Sequence, residues 1–172
     1  VEVQIVNILH VSPATYWDQL FFDAEYLRAL YVALAFPVFE VQRLEVDASG
    51  RKRRVLRAVP PLTAPDFIRK KLEGRLYYTE DGTYDPSTGI WRFSTQVSVA
   101  ADKVEIRGVI RTEAIAQGLR HVLDLSAKVS AFGVGAVFER LIERNTRDSY
   151  AVMSEFTNRF AAQRGMGASE SA

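Results

Sequence analysis

Apolar and polar positions alternate with a period of two along most of the chain, then switch to a helical period from Val134 onward. Val1, Val3, Ile5, Leu9 and Val11 share one face of a first strand, with Glu2, Gln4 and His10 on the other. Ser12-Pro13 predicts a helix start, a hydroxyl cap followed by proline at the first helical position, and the helix runs to Phe22. Asp23 caps a second helix reaching about Phe36, apolar nearly all round, which Pro37 ends. Strands follow at Val38–Asp47 and Arg51–Val59 around the turn Ala48-Ser49-Gly50, whose glycine takes positive φ. Asp66–Leu72 adds a short helical stretch. Tyr77–Tyr84 and Ile90–Val97 flank the turn cluster Asp85-Pro86-Ser87-Thr88-Gly89. Lys103–Ala114 alternates most cleanly, and Leu119–Val129 closes the set.

The last element is a helix from Val134 to about Gln163, roughly 45 Å long at the usual rise. Val134, Val137, Phe138, Leu141, Ile142, Val152, Met153, Phe156 and Phe160 form its apolar stripe. Glu139, Arg140, Glu143, Arg147, Ser154 and Asn158 form the opposite face. Asn145, Asp148 and Ser149 interrupt the stripe midway, where a core helix keeps apolar residues, and this predicts a cavity beneath the helix. The order of elements is strand, two short helices, six hairpin-connected strands and one long helix. That is an α+β fold: a seven-stranded antiparallel sheet whose apolar face only the terminal helix is long enough to cover.

Composition narrows the function classes. At 172 residues the chain fits one domain, taken as residues 1–163, with a small, polar and disordered tail over 164–172. A formal net charge of +1 gives no global field for nucleic acid or an acidic partner, and no aromatic-basic interleaving marks a stacking platform. There is no cysteine, and His10 and His121 are the only histidines, which excludes thiolate chemistry and multi-histidine metal sites; no cofactor or metal is expected. No apolar run is long enough for a membrane span and the start has no signal-peptide pattern, so the expected setting is cytoplasmic.

This succession resembles the START and birch-pollen-allergen superfamily, the polyketide-cyclase-like or helix-grip fold. The likeness spans nearly the whole chain, from Ser12-Pro13-Ala14 through the meander to Phe132-Gly133-Val134-Gly135 at the entry to the last helix. The middle also looks loosely similar to PRELI-type phospholipid-transfer domains, through Pro61-Leu62-Thr63-Ala64-Pro65, Tyr78-Thr79-Glu80 and Tyr84-Asp85-Pro86. The resemblance implies a cavity between sheet and long helix that holds a hydrophobic small molecule, a lipid in the first instance. It also implies that the second helix acts as a lid, or is simply buried.

Parity supplies the candidate walls: Trp91, Phe93, Ile106, Ile110, His121 and Leu123 from the sheet. The long helix adds Leu141, Asn145, Ser149, Val152 and Phe156. Each apolar member doubles as ordinary core, and His121, alone on an apolar face, doubles as a hydrogen-bonded core residue. No carboxylate is identified beside His121, so no catalytic residue is assigned. An enzyme acting on a cavity ligand, and an interaction module whose aromatics close the cavity, stand as alternatives. Arg51, Arg53 and Arg54 belong to the one basic concentration. They are candidates for transient contact with an anionic headgroup or membrane, or else protect an edge strand from pairing.

Overall fold

The computed structural model describes residues 1–61, 66–72, 74–130, 133 and 135–168. The elements are β1 (Glu2–Leu9), α1 (Pro13–Thr15), a π-helical turn (Tyr16–Leu20), α2 (Ala24–Ala33), β2 (Val38–Val46), β3 (Lys52–Val59) and α3 (Asp66–Leu72). They continue as β4 (Tyr78–Asp85), β5 (Ile90–Val97), β6 (Val104–Ile115), β7 (Gly118–Val129) and α4 (Gly135–Gln163). All seven strands form one antiparallel sheet in the order β1-β7-β6-β5-β4-β3-β2. With α4 laid along it, this is the helix-grip fold expected from the pattern. Among the described residues no helix is long and apolar enough to cross a membrane.

Local chemistry sets the entry to the sheet. Ser12 Oγ accepts from Thr15 N at 3.1 Å, and Pro13 opens α1. The chain then widens into a π-helical turn: Phe21 N donates to Tyr16 O at 2.8 Å, one residue further back than in an α-helix. That turn presses Tyr16, Trp17, Leu20 and Phe21 onto the sheet together. Asp23 caps α2 by accepting from Tyr26 N at 2.7 Å. The helix is not buried all round: Tyr26, Leu27 and Leu30 are buried, while Val32 is 73% exposed.

The inward aromatics form a plug at one end of the sheet. Trp17 stacks on Tyr84 with ring centres 4.4 Å apart, and Phe21 meets Trp91 edge-on at 5.2 Å. Two strand glycines make room for rings: a Cβ on Gly82 would stand 2.1 Å from Trp91 Cζ2, and one on Gly108 would stand 2.1 Å from Phe93 Cζ. On the helix side, Tyr26 and Thr157 share a buried hydroxyl contact of 2.7 Å, and Thr157 donates to Met153 O. This joins α2 to α4.

Three residues of the helix's expected solvent face have another task. Asn158 accepts from His10 N at 2.7 Å and donates to Ile8 O at 3.1 Å, while Arg147 donates to Gln4 O at 3.3 Å and Ser154 to Ile8 O at 3.5 Å. They occupy backbone groups along β1, which pairs with β7 alone. Conversely, Val137 and Val152 of the expected stripe are exposed. Beyond α4, Met166 packs against the core and Ala168 N donates to His10 O at 2.9 Å. The expected disorder of the tail falls also on residues 169–172, which lie outside the described residues, as do Phe132 and Val134 of the helix entry.

Candidate functional site: a cavity between the sheet and the long helix

The plug covers only part of the sheet. Beside it, between the sheet and the first half of α4, lies a cavity of about 650 Å³. The boundary falls at a similar level on four strands. Tyr84, Trp91, Ile110 and His121 lie under the plug. Glu80, Phe93, Ile106 and Leu123 face the cavity. The end of α2 (Tyr31, Leu34 and Phe36) supplies a further wall.

Seven of the predicted ligand contacts come together here: Phe93, Ile106, Leu123, Leu141, Asn145, Ser149 and Val152 all line the cavity. The other four are packed elsewhere. Trp91 is fully buried against Phe21 and Phe22, and Ile110 is buried beside it, its Cα partner across the ladder. Phe156 packs against Tyr26 and Phe160. His121 is fully buried, its ring 5.5 Å from Tyr16 and 5.7 Å from Tyr150, and neither nitrogen has a hydrogen-bond partner among the described residues. Burial holds its imidazole down to about 4, so it is neutral at ordinary pH. The ring of Tyr150 packs against the histidine, and Tyr150 in turn lines the cavity together with Asn145 and Ser149.

The basic run divides in three. Arg54 is 4% exposed: Nη1 donates to Phe21 O at 2.6 Å, Nη2 to Glu80 Oε1 at 3.1 Å, and the guanidinium lies 4.4 Å from the Phe21 ring centre. Such a group has no access to a headgroup. Arg53 is held by Asp81 through two bonds of 3.0 and 2.6 Å, which also keeps the Asp81 carboxyl below its usual range. Arg51 faces Asp85 at 3.4 Å. Nor is this strand an edge. β3 lies between β2 and β4, and its Arg53 and Arg54 answer acidic residues of β4. The edge is β2, whose register shifts between Val41 and Arg43.

The spacing of apolar residues does not mark the polar side of the cavity. Tyr31, Tyr78, Tyr150 and Glu80 line it. Tyr78, Glu80, Gly82 and Tyr84 alternate inward on β4, so parity alone placed Glu80 there; only Arg54, inward on β3, shows how its charge is tolerated. Burial pushes the Tyr31 hydroxyl up to about 12 and raises those of Tyr78 and Tyr150 well above their usual value, with the Glu80 charge adding to each. At neutral pH these phenols are protonated hydrogen-bonding groups and poor proton donors for catalysis. Among the described residues no cluster of three or more His, Cys, Asp or Glu side chains is placed to hold a metal ion.

An apolar cavity closed by a long helix over an antiparallel sheet defines a helix-grip protein, and solved structures with this fold bear the assignment out. A protein of Thermus thermophilus superposes with a TM-score of 0.63 at 16% identity, covering 95% of this chain and 99% of that one. A protein of Chromobacterium violaceum gives 0.58 at 12% identity, covering 91% and 97%. The Zhui aromatase/cyclase from Streptomyces sp. R1128 gives 0.54 at 16% identity, covering 95% and 96%. Residues 8–160 match the family described as Protein of unknown function (DUF2505), and the chain belongs to that family. Among curated proteins none has a matching sequence.

Proposed function

We propose that this protein binds, and passes on, a hydrophobic small molecule of lipid kind in the cavity between the sheet and α4, as a START-like member of the helix-grip proteins acting in the cytoplasm. The observation that carries this is the cavity itself. Its volume of about 650 Å³ lies within the range of small-molecule sites, and the plug leaves it open even though the chain has aromatics enough to fill it. Its walls are apolar with a few placed polar groups, the composition of a site that solvates a chain or ring system and orients one end. The aromatase/cyclase resemblance lends the fold, and the PRELI-like middle falls partly on residues 62–65, outside the described residues.

Native mass spectrometry of the purified protein, followed by extraction and identification of whatever is bound, tests the proposal directly. Ile106→Trp serves as the filled-cavity control. The variant is expected to melt cooperatively yet retain no apolar ligand and lose uptake of a neutral fluorescent probe. Uptake equal to wild type by the folded variant overturns this function. Asn145→Leu is a milder probe, since Asn145 reaches the cavity from α4. It is expected to weaken polar-headed ligands while sparing stability, because no buried partner is stranded. A loss of stability with unchanged ligand uptake would return Asn145 to the core.

A further inference from the structure

The charged groups that face the cavity share one sign. Among the described residues lining it are two carboxylates, Glu80 and Asp148, and no lysine, arginine or histidine. Glu80 spends one oxygen on Arg54, and its Oε2 has no protein partner among the described residues. Arg54 does not reach the cavity: it lies buried behind Glu80, tied to the Phe21 carbonyl and within 5.0 Å of the Trp91 ring centre. What a ligand meets is therefore the carboxylate side of the pair. Tyr31, Tyr78 and Tyr150 surround the same space, and all three hydroxyls feel the Glu80 charge. Ring faces and phenol oxygens both attract cations. Asp148, on α4, is exposed and held only loosely, 3.8 Å from Arg144.

Resting on the hydrophobic-ligand function above, we infer that the cavity selects a hydrophobic amine, with its ammonium group on Glu80 among the three tyrosines and its hydrocarbon along Ile106, Leu123 and Leu141. An ammonium has donors and no acceptor, and this site offers acceptors: Glu80 Oε2 and the tyrosine oxygens. A carboxylate-headed lipid would bring a like charge into a space of low dielectric, where repulsion is weakly screened. An alcohol fits the same geometry through a neutral bond only. General attraction for cations is not the cause, because the whole chain carries a formal charge of +1.

Three ligands of equal chain length separate these cases: dodecylamine, dodecanol and dodecanoate, each competing below its aggregation threshold for Nile red bound to the full chain at neutral pH. The amine is expected to displace the probe at a roughly tenfold lower concentration than the alcohol, with dodecanoate weakest. It should also raise the melting temperature, which excludes surfactant denaturation. Glu80→Gln keeps an acceptor for Arg54 and is expected to bring the amine to the level of the alcohol. The wild-type series decides the matter even if that variant folds poorly. Amine and alcohol binding alike, or dodecanoate binding as tightly as the amine, overturns the inference and leaves the hydrophobic-ligand function standing. If Nile red and all three ligands fail to bind, both fall together.

Discussion

Arg51, Arg53 and Arg54 show how little a run of like residues says about any one of them. Arg53 and Arg51 face solvent, where ion pairs contribute little, so Arg53→Ala should leave stability nearly unchanged. Arg54 is buried beside Glu80, and Arg54→Ala strands that carboxylate, so a loss of about 3–5 kcal/mol is expected in denaturant melts. Equal effects of the two substitutions would show that the Arg54–Glu80 pair is not closed in solution. His121 gives a second residue-scale test. Its pKa is depressed by burial to about 4, so the stability it permits is complete above the unfolded value of 6.5 and declines as pH falls toward 4. The unfolded chain binds a proton in that window and the folded chain does not, a loss of about 3 kcal/mol. His121→Leu should flatten the stability profile between those limits. Loss that persists below pH 4 belongs instead to carboxylates held low in the fold, among them Asp81, Asp85 and Asp124.

Elements were legible where periodicity alone decides them. The strands, the terminal helix and the Ser12 and Asp23 caps follow from alternation, helical spacing and cap chemistry. Parity also assigned the inward face correctly, but it carries no information on depth. Trp91 and Phe93 are equally inward, yet one lies under the plug and the other on the cavity, because the π-helical turn places four large side chains over one end of the sheet. That widening of the turn depends on how it packs, not on a local sequence signal. The helix end at Ala35 is another feature that pattern did not expose. Phe36 N donates to Tyr31 O and Ala35 N to Val32 O, both at 3.0 Å, with Ala35 at φ 57 where glycine is usual. Ala35→Gly is expected to raise stability by up to ~1 kcal/mol. A destabilised variant would mean that the alanine methyl, at the cavity wall, contributes more by packing than its backbone costs.

At the scale of the whole molecule, α4 is both roof of the cavity and cover of the sheet. Removal of residues 135–172 should abolish cooperative melting, and a soluble fragment ending near Ser130 with a sharp transition would contradict that role. The side chains that fasten α4 to β1 have a further consequence, in the symmetry of association. With Arg147 on the Gln4 carbonyl and Ser154 and Asn158 on the Ile8 carbonyl, β1 is a poorer template for another chain than an open edge. β2 stays open, roughened by its register shift and by Glu40, Arg43 and Glu45. A sheet with one usable margin has no head and tail. Two such molecules can join through β2 about a twofold axis, and growth beyond the pair would have to displace the α4 side chains from β1, so backbone pairing of the folded protein favours a pair over a fibre.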